Sequence, residues 1–225
     1  MILSLGLSSL NVKHEVSVSW ETFFEDKVHH NLFIKSLVYK STLQLLRRIM
    51  KPGEKVLELG CGSGRVSIML NDMGYETTSL DYAFPLVQQL LGVQRFFGGP
   101  SLVNGDMTAL PFQDKAFKVA CSFEVMEHFK PDRIIHFLKE QKRVAEYVVV
   151  DVPNESYRIK SFGDENFYSD DTWIGFFESA GLRVHEFFHR GMDNGLFVGN
   201  CTVFFAVDSR SDTEPVLKGD VYDHY

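Results

Sequence analysis

The sequence predicts an α/β fold: a doubly wound, mostly parallel seven-stranded sheet with an antiparallel edge strand and an N-terminal helical cap. Three observations carry that expectation. Short apolar runs alternate with helix-length stretches from residue 55 to residue 152. A glycine-rich turn, Gly60-Cys61-Gly62-Ser63-Gly64, directly follows the first of those runs. Two longer strand-like runs then close the domain with no helix between them, and a late hairpin of that kind adds an antiparallel strand at the sheet edge.

Taken in order, Trp20, Phe23, Phe24 and Val28 recur at helical spacing within 20–33. A second helix over about 34–50 sets Ile34, Leu37, Val38, Leu45, Leu46 and Ile49 on its inner side, and Lys51-Pro52-Gly53 stops it. The first strand is Val56–Leu59, with a helix from Arg65 to Met73 that Gly74 ends. Strand two, Glu76–Leu80, terminates at Asp81; a helix near 85–97 leads to strand three, Ser101–Asn104. The loop Gly105–Lys115 precedes strand four, Phe117–Phe123, and a helix over 131–145 leads into strand five, Tyr147–Val152. A helix at 171–180 ends at Gly181, and the runs Arg183–Arg190 and Leu196–Val207 are joined by Gly191–Gly195. The expected division is a helical cap at 1–50, the main domain at 51–208, and a flexible polar tail at 209–225.

With 44% hydrophobic residues, the 225-residue chain has the apolar material for a real core. Its net charge of −7 argues against a protein that grips nucleic acid, because phosphate binding requires a basic surface. Cys61, Cys121 and Cys201 form no CxxC pair, which suits reduced thiols in a reducing compartment. No apolar run reaches transmembrane length, and the first ten residues lack the basic region and cleavage site of a secretion signal. A cytoplasmic protein is expected, with an oligomeric state the sequence does not disclose.

A glycine-rich strand-to-helix turn alone also fits a dinucleotide-binding domain, hence an NAD(P)-dependent oxidoreductase. That fingerprint needs a glycine at position 65, where this chain has Arg65. The stretch Val56 to Arg65, VLELGCGSGR, instead resembles motif I of class I methyltransferases that use S-adenosylmethionine (SAM) and have a Rossmann-like fold. The resemblance extends over about residues 53–207, and Ser122-Phe123-Glu124-Val125-Met126-Glu127-His128 is similar to a segment of the subgroup that includes quinone-biosynthesis enzymes.

The resemblance implies a role for each matching position. Glu58 lies near the methionine end of SAM, and Gly60, Cys61, Gly62 and Gly64 back the cofactor. Asp81 accepts from the ribose hydroxyls, as an acid at this strand end can. Tyr82 covers a face of the adenine, and Asp106 with Met107 reads its edge. Glu124 helps bind SAM, while Glu127 or His128 is the general base or orients the acceptor. The plainer reading of Glu127 and His128 is that they cap the following helix. E-x-x-E-H also begins the metal site of some RNA and quinone O-methyltransferases, but residues 163–169 carry no His, so only Asp164 or Glu165 could complete it; no metal is expected.

The implied activity is methyl transfer from SAM to a small-molecule acceptor by in-line displacement (EC 2.1.1.-), leaving S-adenosylhomocysteine. The aromatic-rich acceptor wall would draw on Trp20, Phe23, Phe24, His29, His30, Tyr157, Phe162, Tyr168 and Trp173. A methyltransferase-fold protein that binds SAM without turnover is the remaining alternative.

Overall fold

In a computed structural model of the chain, residues 38–83, 99–157, 164–190, 201–211 and 215 are described. The expected helices at 20–33 and 85–97, the loop 191–195, most of the tail, and Phe162 lie outside the described residues.

The described elements follow the expected order. Helix α1 (Lys40–Ile49) precedes β1 (Lys55–Leu59), α2 (Arg65–Asp72), β2 (Glu76–Asp81), β3 (Ser101–Asn104) and β4 (Phe117–Phe123). A single 3-10 turn (Met126–His128) leads to α3 (Pro131–Val144), β5 (Ala145–Pro153), α4 (Asp170–Ser179), β6 (Leu182–Arg190) and β7 (Cys201–Asp208). Pro131 opens α3, where its missing N–H costs nothing. Ser169 caps α4 by accepting from the Thr172 N–H at 3.3 Å.

Seven strands form one sheet in the order β3-β2-β1-β4-β5-β7-β6. β1 to β5 pair in parallel, and β7 is antiparallel to both β5 and β6. The late hairpin thus forms the edge as expected. Its antiparallel member, β7, lies one strand in, and β6 runs outermost in the same direction as β5. Arg190, the last residue of β6, therefore arrives at the same end of the sheet as the carboxyl ends of β4 and β5.

Both faces are covered, which is why the central strands read as unbroken apolar runs. Leu57, Leu59, Ala120, Val148, Val150 and Phe204 pack with α3 and α4 on one side. Val56, Val119, Cys121, Val149 and Phe205 pack with α1 and α2 on the other. All three cysteines are buried free thiols. Trp173, expected at the acceptor wall, is instead fully buried and packed edge-on against Tyr168 and Phe176, so the α4 core accounts for it. Among the described residues, no helix is long and apolar enough to cross a membrane.

Candidate cofactor and active site

The turn after β1 takes its shape from three glycines in left-handed backbone: Gly60 at φ +67°, Gly62 at +49° and Gly64 at +66°. Gly60 and Cys61 donate to the Leu80 carbonyl at 2.8 and 3.2 Å, which ties the turn to the end of β2. Gly62 donates to Asp81 Oδ2 at 2.7 Å, and the other carboxylate oxygen accepts from Ala83 at 2.8 Å. The loop thus fixes the carboxylate at the end of β2. Cys61 is buried, and its thiol is pushed up by burial and by nearby Glu58 and Asp81. Its part in the loop is its backbone and bulk.

Glu58 stands differently from the expected contact with the cofactor. In a strand, alternate residues share a face, and Glu58 shares that of Val56, toward α2. It is 3% exposed and accepts from the Ser67 hydroxyl on α2, which in turn accepts from Ser79 at 2.5 Å. Glu58 thus fastens the first turn of α2 to β1 and β2 beneath the loop. Burial pushes its carboxyl up to about 8.

That shift gives a sign for stability against pH. The native state holds a proton that the unfolded chain, with an ordinary value of 4.5, releases. Stability from this group is complete below pH 4.5 and declines as pH rises toward 8, by ~1.4 kcal/mol per pH unit at most. Glu58→Gln keeps the acceptor for Ser67 without the ionisation. Urea unfolding at pH 5 and pH 8 should show the variant gaining stability on the native protein at the higher pH. A difference that is flat with pH would contradict the buried neutral carboxyl.

At the ends of β2 and β3, Asn104 donates to the Asp81 and Tyr82 carbonyls at 3.0 Å each. This sets the exposed Tyr82 ring and the β3 turn side by side. Asp106 is exposed, and its Oδ1 accepts from the Thr108 N–H at 2.8 Å, which holds its carboxyl below the usual range. Met107 behind it is buried in the core, so only its backbone is available to a ligand.

The end of β4 carries a cluster of ionisable side chains. Glu124 adopts a left-handed backbone at φ +55° and donates its N–H to the Asp151 carbonyl at 2.7 Å. Its Oε1 accepts from Arg190 Nη2 at 2.7 Å, while Arg190 Nε donates to Asp151 Oδ2 at 2.6 Å. Thr42 on α1 donates to the same Asp151 oxygen at 3.0 Å, and the guanidinium lies 4.7 Å from the Tyr39 ring centroid. One buried cation therefore joins β4, β5, β6 and the N-terminal helix. The sequence reading missed Arg190, Asp151 and Thr42.

Glu127 is 2% exposed, and burial pushes its carboxyl well up. Its carbonyl accepts from the Asn166 backbone and side chain at 2.8 and 3.0 Å. His128 follows, with Nδ1 2.8 Å from Asp164 Oδ1 and Nε2 3.9 Å from Glu127 Oε1. Asp164 thereby fixes the orientation of the imidazole ring. His128, Asp164 and Glu165 present ligand atoms within 4.8 Å of one another, a set able to hold a divalent ion. Neither Glu127 nor His128 supplies a side-chain cap for α3, so the capping alternative has no support among these contacts.

The residues expected to act together are thus gathered at one end of the sheet, apart from Glu58 beneath the loop. Residues 57–147 match the family described as a methyltransferase domain. The chain is 33% identical over 104 residues to the eEF1A lysine and N-terminal methyltransferase of Mus musculus, covering 44% of this chain and 14% of that protein. It is 36% identical over 93 residues to the malonyl-(acyl-carrier protein) O-methyltransferase of Pseudescherichia vulneris, covering 37% and 36%. The chain therefore spans well under two thirds of the length of these relatives. Magnesium protoporphyrin IX methyltransferase from Synechocystis PCC 6803, solved with bound SAM, shares the fold with a TM-score of 0.63 at 13% identity, over 86% of this chain and 99% of that one. Over residues 57–147 the chain is thus similar to the methyltransferase-domain family.

Proposed function

We propose that the chain is a SAM-dependent methyltransferase, with the cofactor across the carboxyl ends of β1, β2 and β3 and the acceptor at the end of β4. The observation that carries this is the glycine turn clamped to Asp81 through the Gly62 N–H. That contact fixes a carboxylate at the end of β2, beside the place where a ribose would lie. Asp106 and Tyr82 border the same crevice, where open α/β sheets bind ligands.

When bound, SAM supplies a sulfonium-activated methyl group. The protein's share is to align a nucleophile and to receive its proton. Glu124, held by Arg190, stands between cofactor loop and acceptor end, and His128 is the proton acceptor, oriented by Asp164. Glu127 lines the acceptor side.

Isothermal titration with S-adenosylhomocysteine tests the cofactor reading. The native chain should bind it and ignore NAD(H). Asp81→Ala should weaken binding about 10- to 100-fold, the scale of losing hydrogen bonds to a charged group. Equal affinity in the two proteins, or binding of NAD(H) instead, contradicts the assignment.

A further inference from the structure

Two loops meet at the carboxyl ends of β4 and β5, and an asparagine pins each of them. After β5, the Asn154 side chain donates to the Thr202 hydroxyl of β7 at 3.1 Å. Its side-chain and backbone oxygens accept from the Ser156 and Tyr157 N–H groups, each at 2.9 Å. Before α4, Asn166 donates to the Glu127 carbonyl through both its backbone and its side chain. Tyr157 and Phe167 follow these anchors, and their rings meet at 5.2 Å between centroids and 58° between planes. Tyr168, the next residue, packs instead on Trp173 and Phe176 in the α4 core.

Both rings are half-buried, so they keep surface that a ligand can reach, unlike the enclosed oxygens of Glu127 and Asp151. Burial first and then the Glu124 charge push the Tyr157 phenol up, so it stays a protonated donor. Cys201, Arg190 and Glu127 also act on it, which puts its hydroxyl end beside the cluster after β4. Two rings tilted in this way form an apolar corner. A third ring that stacks on one of them presents its edge to the other, and these are the two arrangements that aromatic pairs favour.

We propose that Tyr157 and Phe167 select the methyl acceptor, and that the acceptor is a flat, uncharged aromatic ring whose heteroatom lies at the Tyr157 hydroxyl. This rests on the methyltransferase reading of the same end of the sheet. A saturated ring fills the same volume but has no π face or aromatic edge to offer. A ring bearing a carboxylate would bring a further negative charge beside Glu124. The phenol hydroxyl can donate to the heteroatom and so orient the ring within the corner. The shared chemistry is the ring, whether in a free small molecule or in a tyrosine side chain.

The test uses pairs that differ only in flatness: 4-methylphenol against 4-methylcyclohexanol, and a glycine-flanked tyrosine peptide against the same peptide with 4-hydroxycyclohexylalanine. Each is titrated calorimetrically into the S-adenosylhomocysteine complex. In at least one pair the aromatic member should bind about fivefold or more tightly, the scale of two ring contacts. Which pair does so separates a free ring from a tyrosine side chain. Tyr157→Leu and Phe167→Leu should each bring the ratio below about twofold, with S-adenosylhomocysteine affinity held within about twofold. Tyr157→Phe should keep the ratio and weaken both members of the pair by about 2- to 10-fold, the scale of one hydrogen bond. Unfolding midpoints are checked on the same samples, and Tyr157→Phe carries the test if a leucine variant fails to fold.

A ratio near one in the native chain overturns the proposal, and so does failure of every probe to bind a chain that binds S-adenosylhomocysteine. Tighter binding of cyclohexylmethylamine than of 4-methylphenol overturns it too, because the site then takes a cation. A preference that survives both leucine variants, or a loss of S-adenosylhomocysteine affinity in them, removes the two rings from acceptor selection. Failure of the native chain to bind S-adenosylhomocysteine is the separate result that overturns the methyltransferase reading beneath it.

Discussion

Arg190→Met is expected to lower stability by about 3–5 kcal/mol, the cost of leaving a buried charge without its partner. Asp151 is fully buried, and Arg190 is the cation its Oδ2 meets at 2.6 Å. Burial already pushes the Asp151 carboxyl up, and Arg190 is the largest influence holding it down. Without the guanidinium the buried Asp151 carboxylate has no cation to offset its burial, and Glu124 loses its ion pair with Arg190. Methionine fills the volume of the side chain and stacks on Tyr39, so the loss reports charge and not a cavity. For a chain of this length each kcal/mol shifts the unfolding midpoint by roughly 2–4 °C, which sets an expected fall of about 6–20 °C. Adding Asp151→Asn should recover part of that loss, since it removes the orphaned charge. A loss under about 1 kcal/mol in Arg190→Met would mean that water replaces the guanidinium and that the site is wetter than its burial implies.

Arg190 also marks what the sequence did not disclose. It stands 39 residues from Asp151 and 66 from Glu124, and an arginine between a strand and a glycine-rich loop reads as a surface charge. Its burial follows from β7 inserting between β5 and β6, a pairing no local pattern encodes. The cofactor loop was legible for the opposite reason. Gly60, Gly62 and Gly64 are needed for backbone reasons confined to five residues, and Asp81 lies at the end of the neighbouring strand. Glu58 falls between these cases. Its spacing was read from a motif, yet its direction follows from strand parity with Val56, which places it under α2. His128 could be picked out from its sequence context; its partner Asp164 surfaced there only as a substitute metal ligand.

The second large effect is expected at Gly60, where two separable costs coincide. A Cβ built there stands 2.7 and 2.8 Å from the two Val125 methyl carbons, and the residue sits at φ +67°. Left-handed backbone costs a side-chain-bearing residue roughly 1–2 kcal/mol, and overpacking adds about 1–3. Gly60→Ala should therefore lose about 2–5 kcal/mol. Gly53 supplies the control: at φ +84° it has nothing within 4 Å of a new Cβ, so Gly53→Ala should show the backbone cost alone. In a Val125→Ala background the steric part of Gly60→Ala should disappear, leaving a coupling of about 1–3 kcal/mol between the two positions in a double-mutant cycle. Val125 lies between Glu124 and the Met126–His128 turn, so the methyl group that collides at Gly60 pushes on that turn. S-adenosylhomocysteine affinity should fall in Gly60→Ala and hold in Gly53→Ala. If the two variants lose equal stability, the loop is merely a left-handed turn; if Gly60→Ala loses more and Val125→Ala restores it, the first glycine holds the cofactor loop against the turn that carries Glu127 and His128.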